Sequence, residues 1–181
     1  MGNYVQIYEN VIDTDFCKRV IDKFEDNVHQ HDVQIQNNFS FTQINIMDSR
    51  WNNWVEEVDI TYNTLMKYVS LYKEQYQPSW PKKYGFEAIR IKRYMPNCDD
   101  RFGLHVDVSN YDNARRFLVF FIYLDNNAEG QTVIKSRDDL VISNCIQGNM
   151  LVFPPFWTHP HSGEMPVDKP KYIIGSYLHY V

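Results

Sequence analysis

The sequence is poor in the features that mark disordered, fibrous or membrane-spanning chains. Its 181 residues include only 7 glycines and 8 prolines, which is below average usage and argues against a disordered or collagen-like chain. It lacks a run of 18 apolar residues, so a membrane-spanning helix is not expected. The first residues lack a basic segment followed by an apolar stretch, and therefore no secretory signal peptide is predicted.

Cysteine and positive charge are also scarce. The three cysteines, Cys17, Cys98 and Cys145, are scattered, so we expect neither a disulfide framework nor a structural zinc site and place the protein in the reducing cytoplasm. The net charge is -5 and no long basic block is present, which argues against duplex nucleic acid as a partner. The sequence thus predicts one soluble cytoplasmic domain over residues 1–181, whose oligomeric state the composition does not indicate.

Hydrophobic periodicity predicts helices in the first half of the chain. Apolar residues recur at spacings of three and four over residues 13–27 and 51–76, which is typical of helices with one buried face. Asp13 or Thr14 can cap the first of them. Residues 29–42 are polar between the two helices, and we expect a loop or an irregular strand there.

The second half of the chain has the pattern of a sheet. Short apolar segments separated by turn residues follow one another from residue 86 onward, and the nearly continuous apolar run over 117–124 is typical of a buried central strand. We therefore predict an α+β fold in which mainly helical residues 1–80 support a β-sandwich or barrel core of residues 86–181.

His105 and Asp107 form the sharpest local candidate for a functional site. Alternate residues of a strand point to the same face, so this imidazole and this carboxylate can converge on one point. A histidine from a distant strand would complete the set of two histidines and one carboxylate that holds non-haem Fe(II). The pair alone is a weak signal, because a His–Asp hydrogen bond on a sheet surface gives the same pattern.

The spacing downstream strengthens this interpretation. His161 is followed ten residues later by Lys171, across a predicted turn between two strands. A buried ammonium group is costly unless it meets an anion, so an inward-facing Lys171 implies a ligand with a carboxylate. His159 and Lys169 have the same spacing and are the competing pair.

These residues together resemble the Fe(II)- and 2-oxoglutarate-dependent dioxygenases, specifically the small prolyl 4-hydroxylase-like branch of bacteria and their viruses. The resemblance covers residues 86–181. It implies that His105, Asp107 and His161 hold the iron and that Lys171 binds the distal carboxylate of 2-oxoglutarate. It favours His161 over His159 because the family pattern continues as His-x-Gly and then Pro-Val, as this sequence does after His161.

The same resemblance implies roles for three further residues. Tyr94 matches a tyrosine that hydrogen-bonds the co-substrate. Arg116, seven residues before Tyr123, and His179, eight residues after Lys171, match residues that the family associates with substrate engagement.

The resemblance also implies a fold and a reaction. The fold would be a double-stranded β-helix, or jelly roll. The reaction would be hydroxylation of a C–H bond coupled to the conversion of 2-oxoglutarate and O2 to succinate and carbon dioxide, with L-ascorbate as an accessory cofactor. The first candidate substrate is a prolyl or other peptidyl residue of a peptide or protein.

The sequence departs from the family at positions that include Phe102 and Val119, and other functions stay open. Phe102 and Val119 stand where the family often has tyrosine and threonine, which removes hydroxyl groups near the co-substrate. The alternatives are a dioxygenase acting on nucleic acid or on a small molecule, and a jelly-roll binding module without turnover. The alkylated-base dioxygenases use an arginine where this chain has Lys171.

Structural roles outside any functional site are the alternative interpretation for several basic residues. Arg116 could pair with a nearby carboxylate such as Asp112, and His179 could cap the last strand. A short basic strip contains Arg90, Lys92 and Arg93, for which we expect a solvated strand face.

Overall fold

The computed structural model describes residues 4–96, 98–136 and 139–181. This part of the chain contains helices α1 (Thr14–Asp26) and α2 (Val55–Tyr76) and a 3-10 turn at Val28–Gln30. Its strands are β1 (Gln6–Tyr8), β2 (Asp32–Gln36), β3 (Phe39–Asn45), β4 (Tyr84–Phe86), β5 (Arg90–Tyr94), β6 (Arg101–His105), β7 (Arg116–Tyr123), β8 (Asn127–Ser136), β9 (Asp139–Cys145), β10 (Met150–Phe153), β11 (His161–Gly163) and β12 (Lys171–Tyr180). Neither helix in these ranges is long and apolar enough to span a membrane.

The strands form one antiparallel sheet that curls into a nearly closed barrel. Ten of them follow the order β1-β10-β7-β12-β5-β3-β6-β11-β8-β9, while β2 pairs with β3 and β4 pairs with β12. Neighbours in space are mostly distant in sequence, as expected for a jelly roll. The predicted α+β class and jelly-roll core are therefore confirmed.

The two helices begin and end close to the predicted residues. The carboxylate of Asp13 accepts a hydrogen bond from the backbone N–H of Phe16 at 2.7 Å and caps α1. The second helix begins at Val55 rather than at Trp51, because the N–H of Trp51 donates to the carbonyl of Asp48 in a preceding turn. It ends where Gln77 takes a left-handed conformation (φ 42°) before Pro78.

The segment 29–42, for which we expect a loop or an irregular strand, consists mostly of regular strands. This segment and the residues after it form the hairpin of β2 and β3, and β3 lies inside the sheet between β5 and β6. Strand β2 is largely exposed on both faces and alternates polar and apolar residues, but its two apolar residues, Val33 and Ile35, are exposed. The mainly helical region 1–80 thus also contributes three strands to the sheet.

The sheet has one core on its helix side and another inside the barrel. Along β7, Leu118, Phe120 and Ile122 pack in the cluster that includes the helices, whereas Tyr123 belongs to a cluster on the opposite face. Successive side chains of a strand point to opposite faces, so both faces of β7 are buried. This arrangement explains why the sequence over 117–124 is continuously apolar.

Candidate functional site

The two histidines of the predicted group face each other across paired strands. His105 is the last residue of β6, and its Cα partner in the antiparallel ladder is His161, the first residue of β11. Side chains at such positions lie close together, and the two imidazole rings have centroids 4.2 Å apart. The sheet register therefore brings together two residues that are far apart in sequence.

Asp107 reaches the same point from a bend. The strand ends at His105 and does not include Asp107, so the argument that both residues lie on one face of a strand is wrong. The segment after the strand is held because the N–H of Val108 donates to the carbonyl of Pro155 at 3.1 Å. One ligand atom from each of His105, Asp107 and His161 lies within 4.8 Å of the other two.

Backbone carbonyls fix the orientation of both rings. The Nδ1 atom of His105 lies 2.8 Å from the carbonyl of Gly103, and Nδ1 of His161 lies 3.0 Å from the carbonyl of His159. A carbonyl oxygen can only accept, so each Nδ1 carries the proton and each Nε2 keeps its lone pair. Histidine ligands of metals are commonly oriented by such contacts.

The free lone pairs point at the carboxylate of Asp107 without a proton between them. His105 Nε2 lies 3.4 Å from Oδ1, and His161 Nε2 lies 3.4 Å from Oδ2. Within the described residues, His105 Nε2 and Asp107 Oδ2 are buried without a hydrogen-bond partner. Unpartnered buried acceptors are costly, and a divalent cation bound between them would satisfy both. The donor set of two imidazoles and one carboxylate suits Fe(II), so these residues fit the metal.

The protonation states of the group agree with metal binding. Burial lowers the pKa of His161 to about 4, so its imidazole is neutral near pH 7. Burial alone would raise the pKa of Asp107, but its contacts with His105 and His161 and the nearby ammonium of Lys92 lower it overall. Metal ligands must be deprotonated in this way.

Aromatic rings hold the histidines from the side. Phe102 stacks on His105 with centroids 3.6 Å apart and planes at 4°, and Phe153 meets His161 edge-on at 4.8 Å. The ring at position 102, where the family often has a tyrosine, thus serves as a support for the first histidine. Such packing leaves each imidazole little freedom to rotate.

A small inner cavity connects this group with Lys171. Its volume is about 60 Å³, and its lining includes the three candidate ligands, Tyr94 and Lys171. Lys171 and Tyr94 are directly opposed on β12 and β5. Only 2% of Lys171 is exposed, and burial lowers the pKa of its ammonium group. That group lies 5.4 Å from the ring centroid of Tyr94 and has no carboxylate within 4 Å in the described part of the chain.

His159 and Lys169, the competing pair of the sequence pattern, lie outside the lining of the inner cavity. The side chain of Lys169 is 55% exposed and its ammonium lies 3.9 Å from the carboxylate of Asp125. The ring of His159 contacts the hydroxyl of Thr158 at 2.8 Å, while its backbone carbonyl supports His161. The fold thus brings His161 and Lys171, rather than His159 and Lys169, to the cavity.

Arg116 lines an outer cavity that adjoins the inner one. This outer cavity has a volume of about 290 Å³ and shares part of its lining with the inner cavity. Two guanidinium nitrogens of Arg116 donate to the carboxylate of Glu87 at 2.7 and 2.8 Å, so its partner is Glu87 and not Asp112. The guanidinium also lies 4.1 Å from the ring centroid of Tyr177.

His179 lies away from the linings of both cavities. The pairing of β12 with β7 skips Phe117 between Leu178 and His179, so the irregularity lies in β7, and His179 keeps the alternation of Lys171 along β12 but lies beyond both linings. Its imidazole lies against Gly85, where an added Cβ would come within 2.9 Å of Nε2. The interpretation of His179 as a cap of the last strand also has no hydrogen bond to support it, since its Nδ1 is buried without a partner among the described residues.

Sequence reasoning missed Tyr177. Its hydroxyl donates to Oδ1 of Asp107 at 3.0 Å, and burial raises its pKa well above the ordinary value, so it stays protonated and remains a donor. The missed signal is the two-residue period of β12, which places Tyr177 on the same face as Lys171 and Ile173.

Removing the Tyr177 hydroxyl is expected to weaken metal binding. Tyr177→Phe leaves Oδ1 of Asp107 without its donor, and comparable losses around metal ligands change affinity by about 10- to 100-fold. A competition titration of the metal-free protein with a chromophoric chelator measures the affinity for Co(II). Tyr180→Phe, on the exposed end of the same strand, is the control. An unchanged Co(II) affinity in Tyr177→Phe would remove this role.

Comparisons with known proteins agree on the fold. No protein-family model matches the sequence, and no curated protein matches it closely enough to count as a relative. Solved structures do match. A viral collagen prolyl hydroxylase from Paramecium bursaria Chlorella virus-1, in complex with 2-oxoglutarate, is 17% identical with a TM-score of 0.76, covering 99% of this chain and 98% of its own.

Two further structures extend the comparison beyond viruses. A prolyl hydroxylase from Trichoplax adhaerens, in complex with a hypoxia-inducible-factor peptide fragment, is 15% identical with a TM-score of 0.76, covering 98% of this chain and 84% of its own. A prolyl 4-hydroxylase from Pseudomonas putida is 13% identical with a TM-score of 0.70, covering 98% of this chain and 92% of its own. The chain shares its fold with prolyl 4-hydroxylases over nearly its whole length.

Proposed function

We propose that this protein is an Fe(II)- and 2-oxoglutarate-dependent dioxygenase that hydroxylates a C–H bond. One observation carries the proposal: two histidines and one carboxylate with unpartnered ligand atoms share a small cavity with a buried ammonium group that has no carboxylate partner among the described residues. A metal alone would explain the first group but not Lys171. A metal-chelating dicarboxylate explains both, and the fold supports the same reaction class.

The residues of the cavity have separable roles in this reaction. His105, Asp107 and His161 hold the metal, which with 2-oxoglutarate and O2 supplies the oxidation of a C–H bond and yields succinate and carbon dioxide. Lys171 binds the distal carboxylate of the co-substrate by a charge-assisted contact, and the hydroxyl of Tyr94 donates a hydrogen bond to the same molecule. Succinate formation that requires both Fe(II) and O2 tests this proposal, and L-ascorbate is expected to sustain it by keeping the iron reduced.

The walls of the inner cavity favour an ordered, dry complex. Its lining is largely apolar between the two charged ends and includes Val119, Phe121 and Ile173. Such walls exclude water and strengthen the contact between Lys171 and a carboxylate. Tyr94 and Lys171, which are directly opposed on β5 and β12, are the groups we expect to hold the co-substrate.

The substrate that we propose first is a prolyl residue of a peptide or protein. Two of the similar structures are a collagen prolyl hydroxylase and a prolyl hydroxylase bound to a peptide. Arg116 lines the outer cavity through which such a peptide would approach. Arg116 and His179 stand at the spacings that the prolyl 4-hydroxylase family associates with substrate engagement.

Loss of either residue is expected to separate peptide hydroxylation from co-substrate turnover. Arg116→Ala and His179→Ala should each lower hydroxylation of proline-containing peptides by about tenfold or more, because each variant loses one contact between a charged group and the peptide. Slow uncoupled formation of succinate should continue. Mass spectrometry of a proline-rich peptide panel after turnover measures the +16 Da product, and thermal unfolding checks that each variant folds.

The peptide panel also decides the substrate class. No +16 Da product on any peptide, beside active uncoupled succinate formation by the unmodified protein, would exclude the prolyl substrate. The oxygenase reaction would then act on nucleic acid or on a small molecule.

A further inference from the structure

Lys92 has a position that the proposed reaction does not explain. The expectation of a solvated face for Arg90, Lys92 and Arg93 is wrong, because β5 crosses the barrel wall with its residues alternating between two buried faces. Arg93 points outward to helix α1 and lies 2.7 Å from the carboxylate of Glu25. Arg90 and Lys92 instead line the outer cavity, and Lys92 also lines the inner one.

The ammonium group of Lys92 lies over aromatic rings beside the candidate metal group. It lies 4.6 Å from the ring centroid of Phe41 and 5.6 Å from that of Phe102, and Phe102 is stacked on His105. No hydrogen bond or ion pair joins this ammonium to another group in the described ranges. Aromatic faces attract a cation but leave its charge available to an anion.

The charges of the outer cavity are unbalanced. Its lining contains three cations, Arg90, Lys92 and Arg116, and a single acidic residue, Asp107, which belongs to the candidate metal group. Glu87 neutralises Arg116, whereas Arg90 and Lys92 have no carboxylate within 4 Å in the described part of the chain. A positive cavity in a protein of net charge -5 concentrates anions by its local field.

The second ammonium is separate from the one assigned to the co-substrate. Lys171 is on β12 and absent from the lining of the outer cavity, whereas Lys92 is on β5 and lines the junction of the two cavities. One end of the inner cavity is thus suited to the distal carboxylate of 2-oxoglutarate. The other end presents a cation to whatever enters from the outer cavity.

We propose that Lys92 binds a carboxylate of the substrate that is hydroxylated, beside the reacting C–H bond. This proposal rests on the proposed oxygenase function and names its substrate class. The carboxylate has two sources, an acidic side chain next to the target residue of a peptide or the α-carboxylate of a free amino acid.

Equilibrium binding distinguishes these sources. The probes are a proline peptide with a neighbouring glutamate against its glutamine isostere, and free proline against prolinamide. Calorimetry under anaerobic conditions, with Fe(II) and 2-oxoglutarate present and then absent, measures each affinity without turnover. We expect the carboxylate form of at least one pair to bind about tenfold more tightly than its amide, because the amide lacks one charge-assisted hydrogen bond to Lys92.

Variants of Lys92 should move this ratio in defined directions. Lys92→Gln should bring the ratio of the two affinities, for the carboxylate form and for its amide, to about one. Lys92→Glu should reverse the preference, so that a peptide with a neighbouring lysine binds more tightly. Lys67→Gln, at an exposed position of α2 whose ammonium also lies over a ring, is the control and should keep the ratio of the unmodified protein. If the glutamate peptide binds more tightly than its glutamine isostere, the substrate is an acidic peptide. If only free proline binds more tightly than its amide, the substrate is a small carboxylic acid.

Two results would overturn the proposal. The first is equal binding of the charged and amide forms in both pairs, and the second is an affinity ratio that Lys92→Gln leaves unchanged. In the second case, a higher 2-oxoglutarate requirement of Lys92→Gln would assign this ammonium to the co-substrate. Because the ratio is a binding measurement, it remains readable if the protein forms no succinate, so the two proposals fail separately.

Discussion

Replacing His161 by alanine is expected to abolish tight binding of a divalent metal and all metal-dependent turnover. The imidazole supplies one of three ligand atoms. The two that remain, from His105 and Asp107, are too few to bind a divalent cation tightly. Since even the partners of metal ligands change affinity by about 10- to 100-fold, we expect a fall of more than about 100-fold. The same chelator competition with Co(II) measures it on the metal-free protein.

The matched control is the neighbouring histidine. His159→Ala removes a ring that contacts Thr158 but keeps the backbone carbonyl that orients His161, so metal affinity should remain nearly intact. Thermal unfolding of both variants separates loss of binding from loss of folding. If His159→Ala lost the metal and His161→Ala kept it, the assignment of the third ligand would be reversed.

Replacing Lys171 by alanine is expected to raise the concentration of 2-oxoglutarate required for turnover by about 100-fold. Among the described residues, Lys171 is the one cation at its end of the inner cavity lining, and truncating one member of a buried charge pair costs about 2 to 5 kcal/mol. Metal binding should survive, because Lys171 is not in the ligand group. Succinate formation across a range of 2-oxoglutarate concentrations measures the requirement.

Two variants control for packing and for the wrong lysine. Lys171→Met keeps most of the side-chain volume without the charge, so it should raise the requirement as much as alanine does. Lys169→Ala removes an exposed ammonium near Asp125 and should leave the requirement close to that of the unmodified protein. An effect of Lys169→Ala with none of Lys171→Ala would move the anchor to the other lysine.

The residues that the sequence singles out are those with a short, fixed spacing. His105 and Asp107 lie two residues apart, and His161 and Lys171 lie ten apart across one turn, so the family pattern marks them, although Asp107 reaches the group from a bend and not along a strand face. The apolar run of β7 likewise predicts a strand buried on both faces, because periodicity reports burial directly. The chemical roles of His105, Asp107, His161 and Lys171 stay predictions.

The contacts that the sequence does not indicate depend on the register between distant strands. Glu87 meets Arg116 because β4, β12 and β7 are adjacent, whereas proximity in sequence favours Asp112. Tyr177 reaches Asp107 across 70 residues for the same reason. Lys92 carries a charge, which predicts a solvated face, and only the closure of the barrel turns that face inward.

The most direct test of the central claim is 2-oxoglutarate turnover by the unmodified protein. Succinate is quantified in parallel reactions with Fe(II) and O2, without Fe(II), without O2, and with the Asp107→Ala variant. The account predicts succinate only in the complete reaction, in equal amount to the carbon dioxide released. Succinate formed without Fe(II) or by Asp107→Ala, or none in the complete reaction by a folded protein that binds Fe(II), would contradict it.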